Sequence, residues 1–182
     1  MIQDDIEKIF YSEKEIHKIV ASLGKRISED YKGKNLLLVS ILKGSAVFAA
    51  DLMREITIPC RIDFMCVSSY GNGTSNESRE VKIIKDLDKD LKGLDILLVE
   101  DILDSGKTLN FILKTLEAKN PASVKICTFL DKPERRAVNL KADYCGAAVP
   151  DAFVVGYGLD FAEKYRNLPY IGVLKEEIYK YS

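Results

Sequence analysis

Short, almost unbroken apolar runs alternate along this chain with segments whose apolar residues fall at helical spacing. Residues 35–42 read Asn-Leu-Leu-Leu-Val-Ser-Ile-Leu, and 61–67, 95–99 and 124–130 have the same character. Runs this apolar cannot keep one face in water, so each predicts a strand buried on both sides, as parallel sheets require. Between them, 12–31, 45–54 and 107–119 carry helical spacing, the last stopped near Asn120-Pro121. Ser12 with Glu15 three residues on is a capping-box pattern. Shorter strands are expected at 81–85, returning as a hairpin, and at 143–149, 153–155 and 170–174. Strands alternating with helices specify an α/β fold, a mostly parallel sheet with helices on both faces. At 182 residues, 1–182 is expected to form a single domain.

The charges nearly cancel, 27 Lys and Arg against 28 Asp and Glu, which gives no global pull toward nucleic acid or an anionic membrane. The start, MIQDDIEKIF, is acidic and lacks the layout of a signal peptide, and no apolar run reaches membrane-spanning length. The sequence therefore predicts a cytoplasmic protein. Cys60, Cys66, Cys127 and Cys145 are too scattered for a metal knuckle and read as small buried thiols. His17, the only histidine, falls on a helix surface, which makes a Ser-His-Asp triad or a His-rich zinc site improbable.

In parallel α/β folds ligands collect beyond the carboxyl ends of the strands. There the most informative stretch is Leu97-Leu-Val-Glu-Asp-Ile-Leu-Asp-Ser-Gly-Lys-Thr-Leu109. A strand emerges into Glu100 and Asp101, and Asp104-Ser105-Gly106-Lys107-Thr108 opens a helix. Small residues admit a ligand to the backbone, and first-turn N–H groups without helical partners suit a phosphate. Paired carboxylates can hold a diol, or water around Mg²⁺. A nucleoside-triphosphate P-loop is rejected: it needs a glycine five positions before Gly106, where Asp101 stands.

This stretch resembles the PRPP-binding signature of the type I phosphoribosyltransferases. The resemblance implies a mostly parallel twisted sheet flanked by helices, with a small hood formed by terminal segments. By it, Glu100 and Asp101 contact the ribose hydroxyls or Mg²⁺, residues 104–108 take the 5′-phosphate, and Asp104 accepts the proton from purine N7. The turn Lys43-Gly44 matches the family's pyrophosphate loop, sometimes built across a cis peptide. Ser69-Tyr70 opens a polar loop to Ser78 that corresponds to a lid over the reaction. Two further segments, Asp131-Lys-Pro-Glu-Arg-Arg136 and Pro150-Asp-Ala-Phe-Val-Val-Gly-Tyr-Gly-Leu-Asp160, closely resemble hypoxanthine-guanine phosphoribosyltransferases. That match implies Lys132 on the exocyclic O6, Phe153 stacked on the purine and Val154 offering backbone groups to the base edge. It also implies Asp160 at a second metal and Arg166 at pyrophosphate, while Arg135 and Arg136 both remain open as a further pyrophosphate contact.

The implied reaction joins a 6-oxopurine to PRPP at N9, giving IMP or GMP and pyrophosphate with Mg²⁺, as purine salvage by a homodimer or homotetramer. A lysine has donors only, so it suits a 6-oxo group and opposes the amino group of adenine. Hypoxanthine, guanine and xanthine are not ranked. The rival readings are a transferase for adenine, uracil or orotate, and a PRPP-sensing regulator that keeps the fold without turnover.

Overall fold

The computed structural model describes residues 2–70 and 80–180. A 3₁₀ turn, Ile2–Asp5, leads into β1 (Ile6–Tyr11) and α1 (Glu13–Asp30). There follow β2 (Leu36–Leu42), α2 (Ala46–Glu55), β3 (Arg61–Tyr70), β4 (Glu80–Lys85), β5 (Asp95–Leu103) and α3 (Lys107–Glu117). The chain closes with β6 (Ser123–Asp131), a 3₁₀ turn at Pro133–Arg135, β7 (Tyr144–Ala148), β8 (Val154–Val155), β9 (Ile171–Leu174) and α4 (Glu176–Tyr179).

Six strands form the main sheet in the order β4-β3-β2-β5-β6-β7, with β4 alone antiparallel at one edge. The apolar runs are explained by what lies on each face. Leu36 and Leu38 of β2, with Leu97 and Val99 of β5, join Ile16, Val20, Leu23 and Ile27 of α1 and Phe48 and Leu52 of α2. The alternate residues Leu37, Val39, Ile96 and Leu98 join Leu109, Ile112 and Leu116 of α3. Both faces are dry, so a strand with polar alternation would have buried uncompensated groups; each covered Leu or Val side chain contributes about 1.5–3 kcal/mol. The α1 start follows the expected capping box, with Ser12 N–H donating to Glu15 Oε2 at 2.8 Å and Glu15 N–H donating to Ser12 Oγ at 3.4 Å.

A second, three-stranded antiparallel sheet, β1-β9-β8, joins the N-terminal and C-terminal segments into the expected hood. Its first strand was not expected. Glu7 and Lys8 interrupt the apolar pattern of β1, and three of its six residues are exposed, so no buried run marks it. Another departure concerns β5, which does not end at Val99. Its pairing with β6 continues through Glu100↔Thr128 and Ile102↔Leu130 to Leu103↔Asp131, so both acids lie within the strand. The cysteines also differ from expectation: Cys127 is buried, Cys60 and Cys66 are half-buried, and Cys145 is exposed because β7 is the outer strand of its edge. All four are free thiols, and His17 is exposed as expected.

Candidate active site

The turn after β2 is fixed from below by two serines. Ser45 Oγ donates to the Ile41 carbonyl at 2.6 Å, which leaves Ser40 Oγ to donate to Ser45 Oγ at 2.8 Å. Both side chains are fully buried, which accounts for a hydroxyl inside an otherwise apolar strand. The Leu42–Lys43 peptide is cis, as the family resemblance allowed. Gly44 then passes so close to β5 that a Cβ there would stand 1.7 Å from Asp101 Oδ2. Only glycine fits.

Asp101 is 9% exposed, and its Oδ1 accepts from its neighbour's N–H, Ile102, at 2.8 Å. Beside it, Glu100 Oε2 is shut from solvent with no hydrogen-bond partner. Burial, and next the Asp101 charge, pushes the Glu100 carboxyl well above the usual carboxylate range. Burial raises Asp101 as well, against the opposing pull of its hydrogen bonds and of Arg166. Two adjacent desolvated carboxyls, one with an orphan oxygen, fit a hard divalent cation that keeps waters or substrate oxygens in its other positions. Among the described residues no three His, Cys, Asp or Glu side chains converge, so protein groups would supply only part of such a shell.

This pair makes a pH-dependent prediction for the protein in chelator. Folded-state values above the unfolded ones mean stability is complete below the ordinary carboxylate range, about pH 4, and is lost as pH rises through the raised values. Glu100→Gln is therefore expected to raise Tm near neutral pH and to flatten its decline from acid to neutral, by about 2–4 °C for each kcal/mol recovered. Thermal unfolding followed across pH checks this; identical curves for variant and parent would mean that Glu100 is not desolvated.

Past the acids, the strand ends at Leu103, and Asp104 and Ser105 bend the chain into α3. Gly106 is the N-cap with φ of 80°, a left-handed conformation that costs glycine nothing, and no side chain caps the helix. Ser105 Oγ reaches only Lys107 N–H, at 3.4 Å. The first turn therefore offers amide donors toward the space beside Asp104, a cradle suited to a phosphate. Thr108 is partly buried in that turn, whereas Lys107 is exposed.

The segment after β6 is laced onto this bend. Lys132 N–H donates to the Leu103 carbonyl at 3.0 Å, and Ala137 N–H to that of Ser105 at 2.9 Å. Arg136 reinforces the lacing, its guanidinium donating to the Leu103 and Asp104 carbonyls and pairing with Asp131. Arg135 is the more open of the two, with Nε 3.4 Å from Asp104 Oδ1 and Nη1 3.6 Å from Asp151 Oδ1. Lys132 is only 6% exposed, and its Nζ donates to the Ala152 carbonyl at 2.6 Å. Burial holds this ammonium below the usual lysine range, although the Asp104 and Asp151 charges pull the other way. Next in sequence to Ala152 comes Phe153, 36% exposed, and then Val154, buried in β8. The buried lysine thus stands between the Asp104 bend and the hood.

A fourth segment closes the cleft. Gly158 packs backbone to backbone on the Lys43-Gly44 turn, since a Cβ there would lie 2.1 Å from the Gly44 carbonyl oxygen. Arg166 donates to the Gly158 carbonyl at 2.7 Å and pairs with Asp160 Oδ1 at 2.9 Å, while Asp160 Oδ2 accepts from Glu163 N–H at 2.9 Å. Glu163 was not singled out from sequence, yet it joins Lys43 at 2.9 Å and Arg166 at 3.4 Å. The spacing Asp160-x-x-Glu163-x-x-Arg166 was its available signal. Ser69 and Tyr70 end β3, and most of the lid-like loop, residues 71–79, lies outside the described residues.

Residues 8–162 match the phosphoribosyl transferase domain family. A hypoxanthine-guanine phosphoribosyltransferase of Bacillus subtilis is 52% identical over 180 residues, which cover 99% of this chain and 99% of that protein. The chain belongs to the hypoxanthine-guanine phosphoribosyltransferases. A crystal structure of a hypoxanthine phosphoribosyltransferase from Staphylococcus aureus is similar to it with a TM-score of 0.94 at 49% identity, over 98% of this chain and 96% of that one. The bifunctional protein TilS/HprT of Listeria monocytogenes is 50% identical over 178 residues, 98% of this chain, but the chain spans only 27% of that longer protein. Membership fits the architecture described above, from the mostly parallel sheet to the hood.

Proposed function

We propose that this chain transfers the 5-phosphoribosyl group of PRPP to N9 of a 6-oxopurine, hypoxanthine or guanine, releasing pyrophosphate in purine salvage. The observation that carries the reading is that β5 runs from the Glu100–Asp101 pair into the uncapped start of α3, where the Lys132 N–H on the Leu103 carbonyl ties the buried lysine to the bend. Glu100 and Asp101 hold the ribose diol, and the 104–108 bend takes the 5′-phosphate on its amides and hydroxyls. Lys43, Gly44 and Arg166 face pyrophosphate. Asp104 accepts the N7 proton as N9 attacks the anomeric carbon, and carboxylates beside that carbon favour its cationic, oxocarbenium-like state. Ser69-Tyr70 opens the lid that keeps water from that carbon.

The cation is Mg²⁺, for which Glu100 and Asp101 supply the first site and Asp160 a second. When bound, it neutralises charge on the departing pyrophosphate. The chain's own contribution is to fix the ribose against the base so that little freedom remains to be lost in the reaction. Residues 1–182 act as one domain, and a homodimer or homotetramer is the expected assembly. Four free cysteines fit a reducing, cytoplasmic compartment. No helix among the described residues is long and apolar enough to cross a membrane.

The deciding assay is nucleotide formation from PRPP and Mg²⁺ with hypoxanthine, guanine, adenine, uracil and orotate offered separately. Product with hypoxanthine or guanine and none with the other bases is expected; product with adenine or a pyrimidine alone would replace the oxopurine reading. Lys132 supplies the selection, since its buried donors satisfy O6 and would be left unpaired by adenine. Lys132→Ala is expected to cut kcat/KM for hypoxanthine by about 10²-fold or more, as loss of a charged hydrogen bond implies, and to narrow the preference over adenine. An unaltered base profile would remove Lys132 from the O6 site.

A further inference from the structure

The base-stacking candidate Phe153 is itself held by aromatic rings. Tyr179 of α4 stacks on it at a centroid distance of 4.9 Å with planes 21° apart. Phe161 lies perpendicular to it, with centroids 5.5 Å apart and planes at 90°. Both rings pack with the apolar cluster of the hood, around Val155, Tyr165, Leu168 and Leu174. Rings packed in the hood cluster therefore contact Phe153, and the residue still keeps 36% of its surface exposed.

Tyr179 is not placed by its own short helix. The Leu174 N–H donates to the Phe153 carbonyl at 2.9 Å, Lys175 N–H to the Asp5 carbonyl at 2.9 Å, and Tyr165 Oη to Asp5 Oδ2 at 2.7 Å. These bonds tie both ends of the chain to the segment that carries Phe153. An exposed phenyl ring without a backing would sample several rotamers, and a base stacking on it would have to freeze them. A second ring behind the first removes that freedom beforehand.

We propose that Tyr179 is a positioning residue for the purine base, holding Phe153 with one face toward the cleft; the inference rests on the reading of Phe153 as the stacking surface. It adds a base-affinity determinant from α4, beyond the last residue of the site described above, Arg166. The effect belongs to base binding, because Glu100, Asp101 and the bend into α3 lie on or at the end of β5 in the other sheet.

The test is steady-state kinetics with hypoxanthine and PRPP varied in turn, for Tyr179→Ala, Tyr179→Leu, Tyr179→Phe and Phe153→Ala. Tyr179→Ala and Tyr179→Leu are expected to raise KM for hypoxanthine about three- to tenfold, the worth of one aromatic pair, with KM for PRPP unchanged. Tyr179→Phe keeps the ring and should retain the parent KM for the base. The leucine variant preserves apolar cover of the hood, and the PRPP KM reports the fold, so a misfolded alanine variant does not stop the test. The proposal is overturned by an unchanged base KM in Tyr179→Leu while Phe153→Ala raises it. It is overturned equally by parallel losses of both KM values, a merely structural role, or by Tyr179→Phe behaving like Tyr179→Leu. An unchanged base KM in Phe153→Ala would instead remove the stacking reading on which it stands.

Discussion

Asp104→Asn is expected to lower kcat by about 10²–10⁴-fold, the range for loss of a positioned general base, while KM for PRPP changes little. The substitution keeps the size and shape of the side chain and removes its basicity. Its backbone is locked independently of the carboxylate, because Arg136 grips the Asp104 carbonyl and the Lys132 and Ala137 amides secure the flanking residues. The bend into α3, proposed above for the 5′-phosphate, should therefore survive. Geometry favours the assignment: the Asp104 side chain is 44% exposed, and its Oδ1, 3.4 Å from Arg135 Nε, accepts no hydrogen bond, so the carboxylate keeps acceptor capacity for a ligand. Steady-state rates with saturating hypoxanthine decide it, and a parent-like kcat would take Asp104 out of the chemistry.

Gly44→Ala should be nearly as damaging for a different reason. The added methyl would fall 1.7 Å from Asp101 Oδ2 and 2.8 Å from its Cγ, well inside contact distance. Asp101 cannot swing away cheaply, being almost buried and held by the Ile102 amide, and the turn cannot retreat because Gly158 packs on the Gly44 carbonyl. Overpacking of this kind costs about 1–3 kcal/mol of stability, and the displaced turn and carboxylate should lower kcat/KM for PRPP by about 10²-fold or more. Thermal unfolding and PRPP kinetics measure the two parts. Adding Asp101→Ala in the Gly44→Ala background should recover stability without recovering activity, since the contact is relieved while the carboxylate is lost. A soluble Gly44→Ala protein with parent-like PRPP kinetics would contradict this account.

Strands β2, β5 and β6 were legible because burial on both faces leaves no room for polar alternation, and a run such as Leu36–Leu42 then has one reading. Strand β1 was illegible for the opposite reason: on a small sheet with one wet side, Glu7 and Lys8 belong where they are. Local chemistry transferred well too, as with the Ser12–Glu15 cap. What sequence could not supply was convergence. Nothing at Gly44 announces that Asp101 and Gly158 will press on it from segments far along the chain. Nor does a lysine beside Pro133 announce burial, because lysines so placed are usually solvated, and it takes the Ala152 carbonyl with the Asp104 and Asp151 charges to make this one tolerable.

Glu163 gives the cleft a tenant of its own. Its carboxylate already stands against Lys43 and Arg166, so a diphosphate arriving at those cations would take part in an exchange of anions rather than fill bare positive charge. The carboxylate stays tethered beside the two cations, so it can pair with them again whenever a bound anion leaves. On the proposed reading, a departing diphosphate would then not leave Lys43 and Arg166 without an anionic partner.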